Sequence, residues 1–224
     1  MDVVVLDDLS RGLRAFGERF AFYQGDYGDR ELVRTVFTEH PEIEAVGHCA
    51  ASIVGPGSMA DPLAYYANNV AKIPGFLAEV LAAGCHRLLF SSTAAMYRPG
   101  RELVVTEESP LEPLSPYAAS KSMVERILAD TTVATDLRVV SLRYFNPIGA
   151  DPRLRTGLQL VRPSHALGLL LAARAEGRPF TVTGTDWETR DGSGLRDYIH
   201  VWDLARAHVA ALDRFDQVTG VTPY

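Results

Sequence analysis

The chain has 224 residues, 47% hydrophobic and 22% charged, with a formal net charge of −6, enough to bury the core of one large domain, or of one domain and part of a second. The acidic balance argues against a nucleic-acid surface but not against a phosphorylated small molecule, which local basic residues can hold. The apolar runs are too short and too interrupted to cross a bilayer, and the aspartates of "MDVVVLDDLS" break the continuity a signal peptide needs, so no membrane partner is expected and the cytoplasm is the expected location.

In chain order, the first elements are short apolar or β-branched runs at 2–7 ("DVVVLD") and 20–26 ("FAFYQGD"), then a stretch of helical period at 29–40 ("DRELVRTVFTEH"). A third run follows at 43–50 ("IEAVGHCA"), a long helical stretch at 61–84, a fourth run at 86–92 ("HRLLFSS"), a helix at 115–130 ("SPYAASKSMVERILAD") and a fifth run at 137–145 ("LRVVSLRYF"). The runs are continuous rather than alternating, as strands covered on both faces are. Strand alternating with helix predicts a doubly wound parallel α/β sheet, Rossmann-like in class. After Asn146 prolines at 147, 152, 163 and 179 loosen the pattern, and only 164–177 and 201–215 read as helices. The composition shift divides the chain into a dinucleotide-binding part, 1–146, and part of a substrate-binding region, 147–224. Cys49 and Cys85 lack paired-ligand spacing, so neither disulfide nor metal is expected, and both read as small buried hydrophobes.

In an open parallel sheet, ligands bind beyond the carboxyl ends of the strands. The polar or small residues ending the runs are therefore the candidates: Asp7, Asp26, Ala50 to Ser52, and Ser91 to Thr93. An acidic residue in the place of Asp7 accepts the hydroxyls of an adenosine ribose and repels a 2'-phosphate, which favours NAD over NADP. Asp is also a common turn former. Tyr117 and Lys121, four residues apart, share a helix face. A free phenol titrates near ~10, and its use as a base near neutrality requires roughly 4 kcal/mol of preference for the phenolate, part of which a nearby ammonium supplies. Thr93, at the end of the preceding strand, completes a proton-transfer set. As a bare pattern, Tyr-x-x-x-Lys is equally a solvated surface pair.

Over nearly all of its length the chain resembles the extended short-chain dehydrogenase/reductase family, in its NAD-dependent epimerase/dehydratase branch. "VVVLDDLS", "HCAASIVGPGSMADPLAYYANNV", "FSSTAAMY", "TEESPLEPLSPYAASK", "LRYFNPIGADP" and "DGSGLRDYIHVWDLARAH" run in family order, and the last two are far more specific than the Tyr/Lys spacing. The resemblance implies NAD as cofactor, a UDP-sugar as substrate, a homodimer, and epimerisation at C4 of a UDP-hexose through a transient 4-keto sugar. Tyr117 would be the base, assisted by Lys121 and Thr93. Asp7 would hold the adenosine ribose, Asp26 and Tyr27 the adenine, and Asn68 the pyrophosphate region. Ala50, Ser52, Ser92 and Tyr144 would complete the cofactor site, Tyr117 and Lys121 reaching the nicotinamide side. Phe145, Asn146, His165 and Arg196 would face the sugar nucleotide, Arg196 through its diphosphate. A related dehydratase or reductase is the alternative enzyme. Ala94 and Ala95 stand where dehydration would want an acid beside Thr93. A truncated, inactive homologue is the alternative outside catalysis.

The family's first strand and its G-x-x-G-x-x-G turn have no counterpart among the 224 residues. In the doubly wound order that strand is central, so a gap is expected between the strands at 2–7 and 43–50, with weak NAD binding by the chain alone. Met1 then reads as an internal residue taken as a start, or the chain as a fragment. The C-terminal "GVTPY" falls where the family continues. Ile53, Arg98 and "PSHALGL" are smaller departures that leave the hexose open.

Overall fold

The five runs become five parallel strands: β1 Val4–Asp7, β2 Ala21–Gln24, β3 Val46–His48, β4 Arg87–Ser91 and β5 Arg138–Leu142. This computed structural model describes residues 2–98, 100, 103–159, 163, 165–182 and 184–224; Met1 and Ser164, which enter the readings above, lie outside them. The helices between the strands are α1 Arg30–Glu39, α2 Gly55–Ala60, α3 Pro62–Tyr66, α4 Ile73–Ala82 and α5 Pro116–Ala134. Their starts follow capping rules. Asp29 accepts from the N–H groups of Glu31 and Leu32 at α1, Asp61 from Ala64 at α3, and Ser115 from Ala118 at α5, each satisfying N–H groups that a helix start leaves unpaired. Pro62, Pro74 and Pro116 sit in first turns, where their missing N–H costs nothing.

The stretch 61–84, expected as one long helix, is broken. α3 passes into a π-helical turn, Ala67–Ala71, before α4 begins. Pro74 removes the donor that a continuous helix would use there, and the wider π turn accommodates the change.

β4 pairs with β3 on one side and β5 on the other, and β8, Val221–Pro223, pairs with β5, all in parallel register. Along β4 and β5, Leu88, Phe90 and Val139 enter a core with Val33, Ile73, Phe76, Val80, Val124 and Leu128. Leu89, Val140 and Leu142 enter a second core with Phe215 and Val218. The two-residue period places successive side chains on opposite faces, and covering both faces is why the runs read as continuously apolar.

β1 and β2 form a separate two-stranded parallel sheet. Strands β1 and β3 are not hydrogen-bonded, and a cavity of about 390 Å³ lies between them, lined by Val4, Leu6, Val46, His48 and Phe76 among others. The gap expected from the doubly wound order is present.

The chain forms two compact units, Met1–Tyr144 with Ala207–Tyr224, and Phe145–Arg206. Residues 207–224 belong to the first because β8 extends its sheet and Phe215 and Val218 fill its second core. Within the second unit, β6 Asn146–Ile148 pairs in parallel with β7 Tyr198–His200, followed in sequence by α7 Val201–Asp213; α6 is Ala166–Ala175. Gly149 follows β6 at φ +97°, and a Cβ there would meet the His200 ring at 2.4 Å, so the glycine is required twice over. Among the described residues no helix is long and apolar enough to cross a membrane.

Candidate active site

Helix α5 carries Tyr117, Lys121 and Glu125 at four-residue spacing, so one face of the helix presents all three. The solvated-pair reading of Tyr117 and Lys121 fails on burial, because Lys121 is 2% exposed. Its Nζ donates to the Ser91 carbonyl at the end of β4, at 2.7 Å, and stands 4.7 Å from the centre of the Phe90 ring. Burial pulls the Lys121 ammonium down to about 8, with Cys49 and Glu125 acting in the opposite direction. It remains cationic at neutral pH.

Four residues beyond Lys121, Glu125 closes a buried network. It accepts from the Ser92 hydroxyl at 2.5 Å and from the Arg143 guanidinium in a forked arrangement, and Arg143 also donates to the Tyr97 hydroxyl at 2.8 Å. The Glu125 and Arg143 side chains are 7% and 9% exposed. Beyond the end of β4, the Ser92 N–H donates to the Leu142 carbonyl and the Ala94 N–H to that of Tyr144. The segment bearing Thr93 is thereby fixed to β5 and, through Glu125, to α5. Thr93 is 7% exposed and caps a short 3-10 turn, its hydroxyl accepting from the Ala95 N–H at 3.2 Å.

The expected depression of the Tyr117 phenol is not met. Burial raises it; the Thr93 hydroxyl lowers it, and Tyr65 raises it further. The reason is directional, since the Lys121 ammonium is spent on the Ser91 carbonyl and desolvation dominates. Tyr144 shares a hydrogen bond with the Ser91 hydroxyl, and burial pushes it up to about 12, Ser91 opposing.

The carboxyl ends of β1 to β4 carry the other candidates. At β1, Asp7 is partly buried; its Oδ1 accepts from the Leu9 N–H at 2.7 Å, and among the described residues its Oδ2 takes no hydrogen bond. A Cβ at Gly12 would come within 3.0 Å of this carboxylate, so the loop hugs Asp7 while leaving one oxygen open, which fits an adenosine ribose. Beyond β3, Ser52 is clamped by Asn69, whose amide accepts from the Ser52 N–H at 2.8 Å and donates to the Ser52 carbonyl at 3.0 Å and the Ser120 hydroxyl at 3.1 Å. Asn68 donates to the Ser52 hydroxyl at 3.2 Å. Ala50 is exposed.

Three expectations need correction. The Tyr27 side chain is 8% exposed, donates to the Asn68 carbonyl and packs edge-on against His48 and Phe76; it is a core residue, with only its backbone left for a ligand. Ser92 turns its hydroxyl to Glu125, so it too offers only its backbone. Cys49, expected to be buried, is exposed at the end of β3, whereas Cys85 is buried.

Of the substrate candidates, Phe145, Asn146, His165 and Arg196 all belong to the second unit. Asn146 is tied to the Asp197 carbonyl by its amide, at 2.9 Å. Arg196 donates to the Leu195 carbonyl at 2.6 Å and is exposed. The His165 Nδ1 accepts from the Gly168 N–H at 3.2 Å and caps α6, which commits one ring nitrogen.

Sequence reasoning passed over Asn69, Lys72, Glu125 and Arg143. Only Glu125 left a signal, the continuation of the Tyr117 and Lys121 spacing by one more turn.

Comparison with known proteins agrees with this geometry. The model of the NAD dependent epimerase/dehydratase family matches residues 1–222. A UDP-glucose 4-epimerase of Azospirillum brasilense is 44% identical over 211 residues, 93% of this chain and 60% of the relative; the chain thus spans about three fifths of that protein's length. The structure of UDP-glucose 4-epimerase from Brucella ovis in complex with NAD superposes with a TM-score of 0.91 at 36% identity, covering 99% of this chain and 68% of that one. That from Bifidobacterium longum in complex with NAD+ and UDP gives 0.88 at 34%, covering 100% and 70%. The chain belongs to the NAD dependent epimerase/dehydratase family.

Proposed function

We propose that this protein epimerises C4 of a UDP-hexose, interconverting UDP-glucose and UDP-galactose through a transient 4-keto sugar, with NAD as a cofactor that is regenerated in each cycle. The observation that carries the reading is the fixed relation of α5 to the end of β4: Lys121, buried and bonded to the Ser91 carbonyl, holds one face of the helix beside Thr93. Bound NAD supplies a hydride acceptor that later returns the hydride. The chain's own groups do the rest. Tyr117 takes the proton from the sugar 4'-hydroxyl and returns it, and Thr93 hydrogen-bonds the same oxygen. Lys121 contributes a positive charge that water cannot screen, which favours the phenolate once a ligand closes the site. Asp7, with one open oxygen, takes the adenosine ribose, Asp26 the adenine, and Asn68 the pyrophosphate region. Backbone groups of Ala50, Ser52, Tyr27 and Ser92, with Tyr144, line the remainder.

In the second unit, Asn146 and Arg196, at the starts of adjacent parallel strands, take the sugar nucleotide with Phe145 and His165. Arg196 keeps donors free for a diphosphate. The resemblance further supports a homodimer working in the cytoplasm.

The test is to incubate the protein with NAD and UDP-galactose and follow the sugars by NMR. An equilibrium mixture of the two hexoses, without added reductant, is the expected result. A stable 4-keto-6-deoxy product, or a stoichiometric demand for reductant, would move the chemistry to dehydration or reduction.

A further inference from the structure

Of the 22 Lys and Arg residues, two are lysines, Lys72 and Lys121, and 20 are arginines. Lys121 belongs to the catalytic set. Lys72 follows the π turn and lies against the end of β2. Its stem crosses Gly28, where a Cβ would meet Lys72 Cγ and Cδ at 2.8 Å. Its Nζ donates to Asp26 Oδ2 at 2.5 Å and to Asn68 Oδ1 at 2.7 Å. The Gly28 N–H holds the other Asp26 oxygen at 2.8 Å. The Lys72 and Asp26 side chains are 26% and 43% exposed, so the pair is anchored yet reachable from solvent. An ammonium has three N–H donors, of which these contacts use two, and each carboxylate oxygen keeps a further lone pair. The anchors on both sides fix the order in which donor and acceptor are presented.

We propose that Lys72 and Asp26 together read the edge of adenine, Asp26 accepting from the exocyclic amino group and Lys72 donating to ring N1, which makes Lys72 a specificity-determining residue for the base of the dinucleotide. The inference rests on the NAD reading above and adds to it a residue and a rule of discrimination. Adenine presents a donor beside an acceptor, the complement of a carboxylate beside an ammonium. Hypoxanthine has the same outline but presents a keto oxygen beside an N–H, the reverse order. Against it Asp26 faces lone pairs and Lys72 faces a proton, and sites rejecting such a ligand do so because their polar groups are left unpaired. An arginine does not substitute, since a planar fork presents several donors in a rigid row where this site requires one compact charge.

Because the chain has two lysines, 15N-lysine labelling gives two side-chain ammonium signals, assigned with Lys72→Arg. The labelled protein is titrated with NAD and with nicotinamide hypoxanthine dinucleotide in mildly acidic solution. NAD is expected to shift the Lys72 signal and to bind about tenfold more tightly than the hypoxanthine analogue, the scale of one charge-assisted hydrogen bond in a partly exposed site. Lys72→Met should bind the two with affinities equal to within about a factor of two, with the Lys121 signal unmoved as a check on folding; should this variant not fold, the wild-type selectivity and the Lys72 shift decide. A Lys121 signal that responds to NAD while that of Lys72 does not, or equal affinities in the wild type, overturns the inference and leaves the NAD reading standing. If neither signal responds to either dinucleotide, both fall.

Discussion

The two edges of β3 lead into regions built on opposite terms. On one edge, three register pairs join it to β4, and beyond them the side chains that hold Thr93, Tyr117 and Lys121 have partners: Ser91 with Tyr144, Ser92 and Arg143 with Glu125, Lys121 with a carbonyl. On the other edge lies the cavity toward β1, and there His48, 5% exposed, has neither ring nitrogen hydrogen-bonded. Its neighbours are aromatic faces, Tyr27 at 4.8 Å and Phe76 at 5.3 Å. The first region is held by satisfied polar contacts and the second by apolar packing around an unsatisfied one. Truncating a polar group should therefore have opposite signs in the two, because removing one partner strands the other, whereas removing an unpaired group strands nothing.

The largest expected effect on stability is in the first region. Arg143→Met leaves Glu125 charged and buried without its cation, and should cost about 3–5 kcal/mol, lowering the melting temperature by roughly 2–4 °C for each kcal/mol in a chain of this size. Calorimetry measures it; a loss well under 1 kcal/mol would erase the contrast.

Next in size is an acid sensitivity in the second region. Burial, with the Lys121 charge adding to it, lowers His48 from 6.5 to about 4. The unfolded chain takes up this proton below pH ~6.5 and the folded one only near 4, so stability is full above ~6.5 and falls as the pH drops toward 4, by on the order of 3 kcal/mol in total. His48→Phe keeps an aromatic ring and removes the proton site. Urea midpoints between pH 7 and pH 4 should lose that component, with stability at pH 7 unchanged or about 1 kcal/mol higher. A destabilised His48→Phe would show that the imidazole has a partner after all.

The smallest effect sharpens the comparison from the side of α5. Ser115 caps this helix through the Ala118 N–H at 3.2 Å, and Ser115→Ala should cost about 1 kcal/mol. Urea unfolding resolves a change of that size. The slope of the transition should stay unchanged, since the surface exposed on unfolding does not alter.

The strands were legible because burial on both faces writes itself into continuous apolar runs, as in "HRLLFSS" and "LRVVSLRYF". The gap was legible from strand order alone. β6, β7 and β8 were not, being three residues each, two of them containing proline; their pairing joins residues some 50 to 80 positions apart, and no local period records that. The site divides in the same way. Tyr117 and Lys121 share a helix face and were found by spacing. Arg143 reaches Glu125 across 18 positions and Lys72 reaches Asp26 across 46, so each looked like an ordinary surface charge. The resemblance placed Tyr27 and Ser92 at the ligand, but their side chains face the core and Glu125, since a motif match fixes a backbone position and not where the side chain points.

Tyr117→Phe tests the central claim most directly. The change removes one hydroxyl and almost no volume, so interactions made with the bound ground state persist while the proton acceptor is lost. With NAD and UDP-galactose supplied, and UDP-sugar binding measured alongside by calorimetry, the variant should bind the sugar nucleotide about as well as the wild type while turnover falls by orders of magnitude. Near-wild-type turnover in the Phe variant would mean that another group moves the proton, and the assignment of α5 and the end of β4 as the catalytic centre would be abandoned.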